Sequence, residues 1–248
     1  MNLRRCVLLL LALAAPAATP AAGSSPSPVA PAGEGGFKII RTVPIQFPVT
    51  LLREGISNGE ARVLLEIDAD GRLVDSLVIG YTHEPFADAT LTAVRQWRFE
   101  PARVAGEAVG TVADCSIIFR VDGILFHQRN GLPAYERRNP LGERFAYHPR
   151  ELAALDRIPV PRHVEAPAYL PEWAAQGMKG AVVIEFYIDE TGAVRMPSGT
   201  SSPYPLLNAA ATAAIRQWRF APPTVKGRPV LAHCEQVFQF DENAVAKP

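Results

Sequence analysis

The feature that most constrains this chain is a five-residue word, RQWRF, which stands at Arg95–Phe99 and again at Arg216–Phe220. Two further words, IDADG with Gly71 and IDETG with Gly192, are separated by the same 121 residues. Several motifs that share one spacing indicate an internal duplication, here of about 80 residues, rather than a chance recurrence. The sequence therefore predicts two copies of one module.

The first element of each copy is predicted to be a strand with one apolar face, because apolar residues recur at every second position. These residues are Val63, Leu65 and Ile67 in the first copy and Val182, Ile184, Phe186 and Ile188 in the second. The words DADG and DETG predict tight turns into a second strand. In the second copy, Pro197 and Gly199 predict that this strand is short or irregular. A short helix is expected before each first strand, near Pro48 and Pro171.

Each copy continues with a helical pattern and a last strand. The predicted apolar stripes comprise Phe86, Thr90, Ala93, Val94 and Trp97, and Leu207, Ala211, Ala214, Ile215 and Trp218. Pro101 and Pro222 are expected to stop these helices. The last strands lie in VADCSIIFRV and LAHCEQVFQF, and RVDGIL can form a hairpin around Asp122-Gly123 that extends the first sheet.

This order of elements predicts an α+β fold. Each copy has the predicted order strand, strand, helix, strand. The expected segments are a signal peptide (1–22), a Pro/Ala/Gly/Ser-rich tether (23–40), a first domain (41–126), a partly ordered linker (127–160), a second domain (161–242) and a tail (243–248).

The N-terminus has the pattern of a secretory signal peptide, with Arg4 and Arg5 before an apolar run that ends at Pro16. The alternative is an uncleaved anchor in the inner membrane, but a spanning helix needs about 20 apolar residues. We therefore expect the chain to be exported.

Composition and motifs argue against several function classes. The formal net charge is zero, which disfavours nucleic acid as a partner. The sequence shows no metal-ligand spacing and no phosphate-binding glycine loop, so we predict no metal and no cofactor. His233 and Cys234 are neighbours on a strand and point to opposite faces, which excludes a direct nucleophile pair. We predict that the protein is not an enzyme.

Two interpretations remain open for each of three groups of side chains. Trp97 and Trp218 are expected in the core rather than as ligand-stacking residues. The flanking arginines, Arg95, Arg98, Arg216 and Arg219, fit a solvated helix face or a contact patch for an acidic partner. Cys115 and Cys234, the cysteines left after removal of residues 1–22, are expected as two buried thiols, with a disulfide as the alternative.

The sequence resembles the C-terminal domain of TonB. The signature residues of this resemblance are Arg95, Trp97, Arg98, Phe99 and Pro101, and Arg216, Trp218, Arg219, Phe220 and Pro222, together with the hairpin turns and the last strands. The resemblance implies two tandem small two-layer α/β sandwiches, each a roughly three-stranded antiparallel sheet with helices on one face. It also implies that the last strand can accept an extended segment of a receptor as an added strand at a sheet edge. Carried over by position, the partner-binding residues would be Ala113, Asp114, Ser116, Ile118 and Arg120, and His233, Glu235, Val237 and Gln239.

Two functions follow from this resemblance. The first is a TonB-like periplasmic protein that binds proteins or extended peptide segments, such as those of outer-membrane TonB-dependent receptors, and is linked to transport across the outer membrane. The second is an envelope scaffold that associates with itself through the same edges and has no peptide ligand. The tandem duplication and the short, nearly uncharged tether depart from the usual energy transducer, which has a single such domain after a long spacer.

Overall fold

The computed structural model describes residues 36–131, 145–199 and 203–241. The expected signal peptide, most of the tether, part of the linker and the tail lie outside these residues. The described residues up to Pro149 form one compact unit, and those from Arg150 onward form another.

The first unit contains two α-helices and eight strands. They are β1 (Lys38–Arg41), α1 (Val49–Arg53), β2 (Asn58–Ile67), β3 (Leu73–Tyr81), α2 (Glu84–Val94), β4 (Arg98–Glu100), β5 (Ala102–Val104), β6 (Glu107–Val109), β7 (Thr111–Arg120) and β8 (Gly123–Asn130). The main sheet has the antiparallel order β3-β2-β7-β8. β8 is the strand expected from the hairpin around Asp122-Gly123, and it extends four residues past the predicted domain boundary at 126.

The second unit repeats this order with shorter connecting strands. Its elements are β9 (Arg150–Glu151), a 3-10 helix (Leu152–Ala154), β10 (Pro161–His163), α3 (Pro171–Ala175), β11 (Gly180–Ile188), β12 (Val194–Gly199), α4 (Pro205–Gln217), β13 (Arg219–Phe220), β14 (Thr224–Val225), β15 (Arg228–Pro229) and β16 (Ala232–Phe240). The main sheet has the order β12-β11-β16-β9, in which β9 is parallel to β16. As expected, β12 is short and irregular, with a register shift against β11 and a positive φ at Met196.

The α+β class is confirmed, but each main sheet has four strands rather than three. The fourth strand comes from residues that sequence reasoning assigned wholly or partly to the linker, namely β8 in the first unit and β9 in the second. The two short helices α1 and α3 directly precede β2 and β11, as predicted.

The predicted core faces are confirmed in both units. Every residue of the two helical stripes is buried, and so are the alternating apolar residues of β2 and β11. Each tryptophan also donates its indole N–H to a backbone carbonyl, Trp97 to Val43 at 2.9 Å and Trp218 to Glu165 at 2.7 Å. Trp97 and Trp218 are therefore core anchors with a satisfied polar group.

The helix ends differ from the prediction. α2 ends at Val94 and α4 at Gln217, well before the prolines that were expected to stop them. The chain leaves the helix early because the residues after each tryptophan, Arg98–Glu100 and Arg219–Phe220, pair as strands with β1 and β10. The repeated word RQWRF thus forms the corner at which the chain passes from helix to strand.

The turns after β2 and β11 depend on aspartate and glycine. Asp68 Oδ1 accepts hydrogen bonds from two backbone N–H groups, at 2.9 and 2.8 Å, and Asp189 Oδ1 does the same at 3.0 Å each. Gly71 and Gly192 follow with positive φ. A Cβ on Gly192 would lie 2.1 Å from the carbonyl oxygen of Phe220, so only glycine fits.

None of the helices in residues 36–131, 145–199 and 203–241 has the length and apolar character needed to cross a membrane.

We predict that Gly192→Ala destabilises the second unit by about 3 kcal/mol, because it adds a steric clash to the strain of positive φ. Gly227→Ala is the matched control: its φ is also positive, but no atom lies within 4 Å of the added Cβ, so the cost is about 1 kcal/mol. Hydrogen exchange of the β11 and β16 amides measures both values. Equal losses in the two variants would contradict the clash.

Candidate partner-binding edge

The predicted edge in the first unit is wrong. β7 is a central strand, because β2 pairs with one side of it and β8 with the other. Gly131 N–H donates to Val112 O on the β8 side at 2.7 Å. Since backbone groups alternate sides along a strand, the N–H and C=O groups of Asp114, Ser116, Ile118 and Arg120 also face β8. Ala113 faces β2 instead, so none of these five residues is at an edge.

The predicted edge in the second unit is present over most of its length. β9 pairs with β16 only at Ala232↔Arg150 and His233↔Glu151. Beyond these pairs, no strand in the part of the chain that the structure describes pairs with this side of β16. We call the outer side of residues 235–240 the open edge.

Three residues present their backbone groups along the open edge. Arg150 N–H donates to Leu231 O at 2.8 Å, which places the backbone of Leu231 on the β9 side. By alternation, the N–H and C=O groups of Glu235, Val237 and Gln239 face the same side. Glu235 and Val237 are half-buried and Gln239 is exposed. The edge can thus offer backbone donors and acceptors to another strand.

Gln236, between these residues, was missed by sequence reasoning. Its side chain is on the core side of β16 and only 5% exposed. Its Nε2 donates to Val237 O, one of the edge-facing carbonyls, at 2.8 Å, while its Oε1 has no hydrogen-bond partner in the described residues. Comparison of the repeats could have found it, because Gln236 takes the place of Cys115 in an otherwise apolar row.

The other face of β16 carries titratable groups. Glu235 stands directly opposite Glu185 on β11, and His233 Nε2 lies 3.9 Å from the Glu185 carboxylate. Burial, and after it the charge of Glu235, raises the pKa of the Glu185 carboxyl above its ordinary value. Burial also lowers the pKa of His233 to about 4. His233 is therefore neutral at pH 7 and does not compensate the two carboxylates.

The corresponding position in the first unit holds an ion-pair cluster. Asp114, which is 2% exposed, accepts a 2.7 Å hydrogen bond from Arg62 Nε on β2. Arg129 of β8 reaches the same carboxylate, with 3.1 Å between its guanidinium and Asp114 Oδ2. The buried charge of the first unit is thus held by two cations, one of which the neighbouring strand supplies.

The remaining predicted residues are placed as follows. Arg95, Arg98 and Arg219 are exposed and Arg216 is half-buried, whereas Phe99 and Phe220 are buried beside their tryptophans and Pro101 and Pro222 are half-buried. Cys115 and Cys234 are both free and buried, and burial raises the pKa of each thiol. These thiols are protonated at neutral pH and poor nucleophiles.

No group of three or more histidine, cysteine, aspartate or glutamate side chains within residues 36–131, 145–199 and 203–241 is arranged to hold a metal ion. The site consists of backbone groups at a strand edge and of side chains beside it.

A family profile described as Gram-negative bacterial TonB protein C-terminal matches residues 43–121 and 165–241. The chain belongs to this family. Each of the two compact units thus contains one TonB C-terminal repeat. The family comprises non-enzymatic energy-transducing and protein-interaction domains of the bacterial envelope, whose members contact other proteins such as outer-membrane receptors.

Among solved structures, the chain is similar to the TonB C-terminal domain of Pseudomonas aeruginosa determined in solution by NMR. The two share 24% sequence identity over 41% of this chain and 98% of that one, with a TM-score of 0.32. No curated protein sequence matches the chain.

We predict that acid destabilises the second TonB C-terminal repeat through His233. Between pH 7 and about pH 4.5 the unfolded chain protonates this histidine and the folded chain does not, so the free energy of unfolding falls by about 2 kcal/mol. Glu185 opposes this loss, because its raised pKa makes the folded state bind a proton more readily.

His233→Val is the matched variant, because the first repeat carries Val112 at this position. Urea unfolding at each pH, followed by tryptophan fluorescence, should show a smaller loss in the variant than in the parent protein. An unchanged pH dependence would exclude His233 as its source.

Proposed function

We propose that this protein is a periplasmic interaction protein that binds an extended segment of a partner protein as an added strand on the open edge of its second repeat. The proposed partners are outer-membrane TonB-dependent receptors, and the proposed role is in transport across the outer membrane. Export by the N-terminal signal sequence would bring the protein to that compartment.

The observation that carries this proposal is the absence of a paired strand beyond His233 on β16 among the described residues. Glu235, Val237 and Gln239 present three N–H donors and three C=O acceptors on that side. An unpaired strand edge is a template for another strand, and backbone hydrogen bonds supply affinity in that mode of recognition.

The two repeats differ in their availability for such binding. β8 occupies the edge of β7 over the whole of Asp114–Arg120. A partner could bind there only if it displaced a strand that is tethered by a two-residue turn. We therefore assign partner binding to the last strand of the second repeat, β16, and not to the equivalent strand β7 of the first.

We predict that Val237→Pro weakens binding of receptor segments at least tenfold. Proline removes the edge-facing N–H of residue 237 and places its ring where the added strand would lie. The N–H groups that pair with β11 belong to the alternate residues, so the sheet itself keeps its ladder.

The measurement is fluorescence anisotropy of labelled peptides from the N-terminal segments of TonB-dependent receptors, titrated with the full chain. Val237→Ala retains the N–H and is the control; it should bind within a few fold of the parent protein. Equal binding by the proline variant would reject strand addition at β16. A dimer in sedimentation that Val237→Pro dissociates, with no peptide binding, would favour the scaffold function instead.

A further inference from the structure

The open edge of the second repeat corresponds residue for residue to the covered edge of the first. The 121-residue spacing aligns Asp114–Arg120 with residues 235–241. β8 pairs with this stretch of β7, from Asp114↔Arg129 to Arg120↔Gly123. The first repeat therefore shows how a strand lies against the position that is open in the second.

β8 contributes a charge as well as backbone groups. The Arg129 guanidinium lies 3.1 Å from the buried Asp114 carboxylate that it faces across the two strands. Arg62, from the strand on the other side of β7, contacts the same carboxylate. An arginine on the added strand thus helps to neutralise a buried acid on the strand that receives it.

The second repeat keeps the acid and loses the cations. By the same spacing, Glu235 replaces Asp114, Val183 replaces Arg62, and Glu185 replaces Leu64. Glu185 and Glu235 then stand opposite each other, an arrangement of like charges that destabilises a strand pair. Neither carboxylate has a lysine or arginine within ion-pair distance in residues 36–131, 145–199 and 203–241.

Gln236 supplies an independent sign of a missing strand. Its buried carboxamide reaches the open edge by donating to Val237 O, and its own Oε1 has no hydrogen-bond partner in the described residues. A buried acceptor that lacks a hydrogen bond destabilises the fold. The equivalent position in the first repeat, Cys115, is directly opposite Gln128 of β8. An added strand would therefore bring polar groups next to this amide.

An aromatic residue on the partner is not needed. In the first repeat, Phe126 of β8 packs against Trp97 with 5.3 Å between ring centroids. In the second, Phe238 replaces Ile117 and packs against Trp218 at 5.7 Å from within β16 itself. The second repeat supplies this ring contact for itself, so what it lacks relative to the first is the cation.

We propose that the open edge selects an extended partner segment with an arginine or lysine opposite Glu235. This inference rests on the proposed function and defines the chemistry of its ligand. The basic side chain takes the position that Arg129 has in the first repeat. It forms an ion pair with Glu235 and so reduces the repulsion between Glu235 and Glu185. The occupant is thus a basic segment, added antiparallel to β16 in the register of β8.

The test uses two labelled peptides and the full chain. One peptide has the β8 sequence, GILFHQRN, and the other has its arginine replaced by glutamate. We expect the arginine peptide to bind at least tenfold more tightly. Glu235→Lys should reverse this order, whereas Glu172→Lys, the same charge change at an exposed residue of α3, should leave it unaltered.

Val237→Pro separates failure of this inference from failure of the proposed function. If both peptides bind equally and Val237→Pro abolishes both, strand addition stands and the charge preference is overturned. If neither peptide binds while receptor segments still bind in a Val237-dependent way, the charge preference is again overturned. If no segment of either kind binds, both proposals fail.

Discussion

The uninterrupted antiparallel ladder between the two central strands of each main sheet determines which side chains and which backbone groups face which way in these sheets. β2 and β7 pair at every residue from Asn58↔Arg120 to Ile67↔Thr111, and β11 and β16 pair from Gly180↔Phe240 to Ile188↔Ala232, without a register shift. Because side chains and backbone groups alternate along a strand, one register decides both which side chains enter the core and which backbone groups face outward. The helices, the tryptophan anchors and the edge all take their positions from it.

This constraint explains how the two copies diverged without losing the fold. Substitutions on the core side preserve volume and apolarity overall, with Gln236 as the exception, whereas those on the other face alter charge. Val183 and Glu185 stand where the first repeat has Arg62 and Leu64, and the ladder is intact in both. The first repeat therefore has one acid paired with arginine on this face, whereas the second has two acids side by side. In the first unit the fourth strand covers the outer side of β7 from Asp114 to Arg120, whereas in the second unit two acidic residues lie beside the open edge.

Much of the fold could be predicted from the sequence because its signals are local. Apolar alternation in β2 and β11, the aspartate–glycine turns at Gly71 and Gly192, and the helical stripes each act within about ten residues. The pairing of β8 with β7 could also be predicted, because the hairpin around Asp122-Gly123 joins strands that are neighbours in the chain. The pairing of β9 with β16 could not, because β9 comes from about 80 residues before β16 and is only two residues long. The roles of Glu185 and Gln236 emerge only when the two copies are compared at equivalent positions.

The hydrogen bond from Gln236 to Val237 O affects what an added strand would meet at the open edge. Because a carbonyl oxygen has two lone pairs, the N–H of that strand would share this acceptor with the Gln236 amide or displace it. β8 faces no such competitor, because Cys115 cannot reach across in this way, and its short connection keeps it at high effective concentration. A strand bound to the open edge as proposed would have no such connection, so it would leave as a separate molecule, whereas β8 remains beside β7.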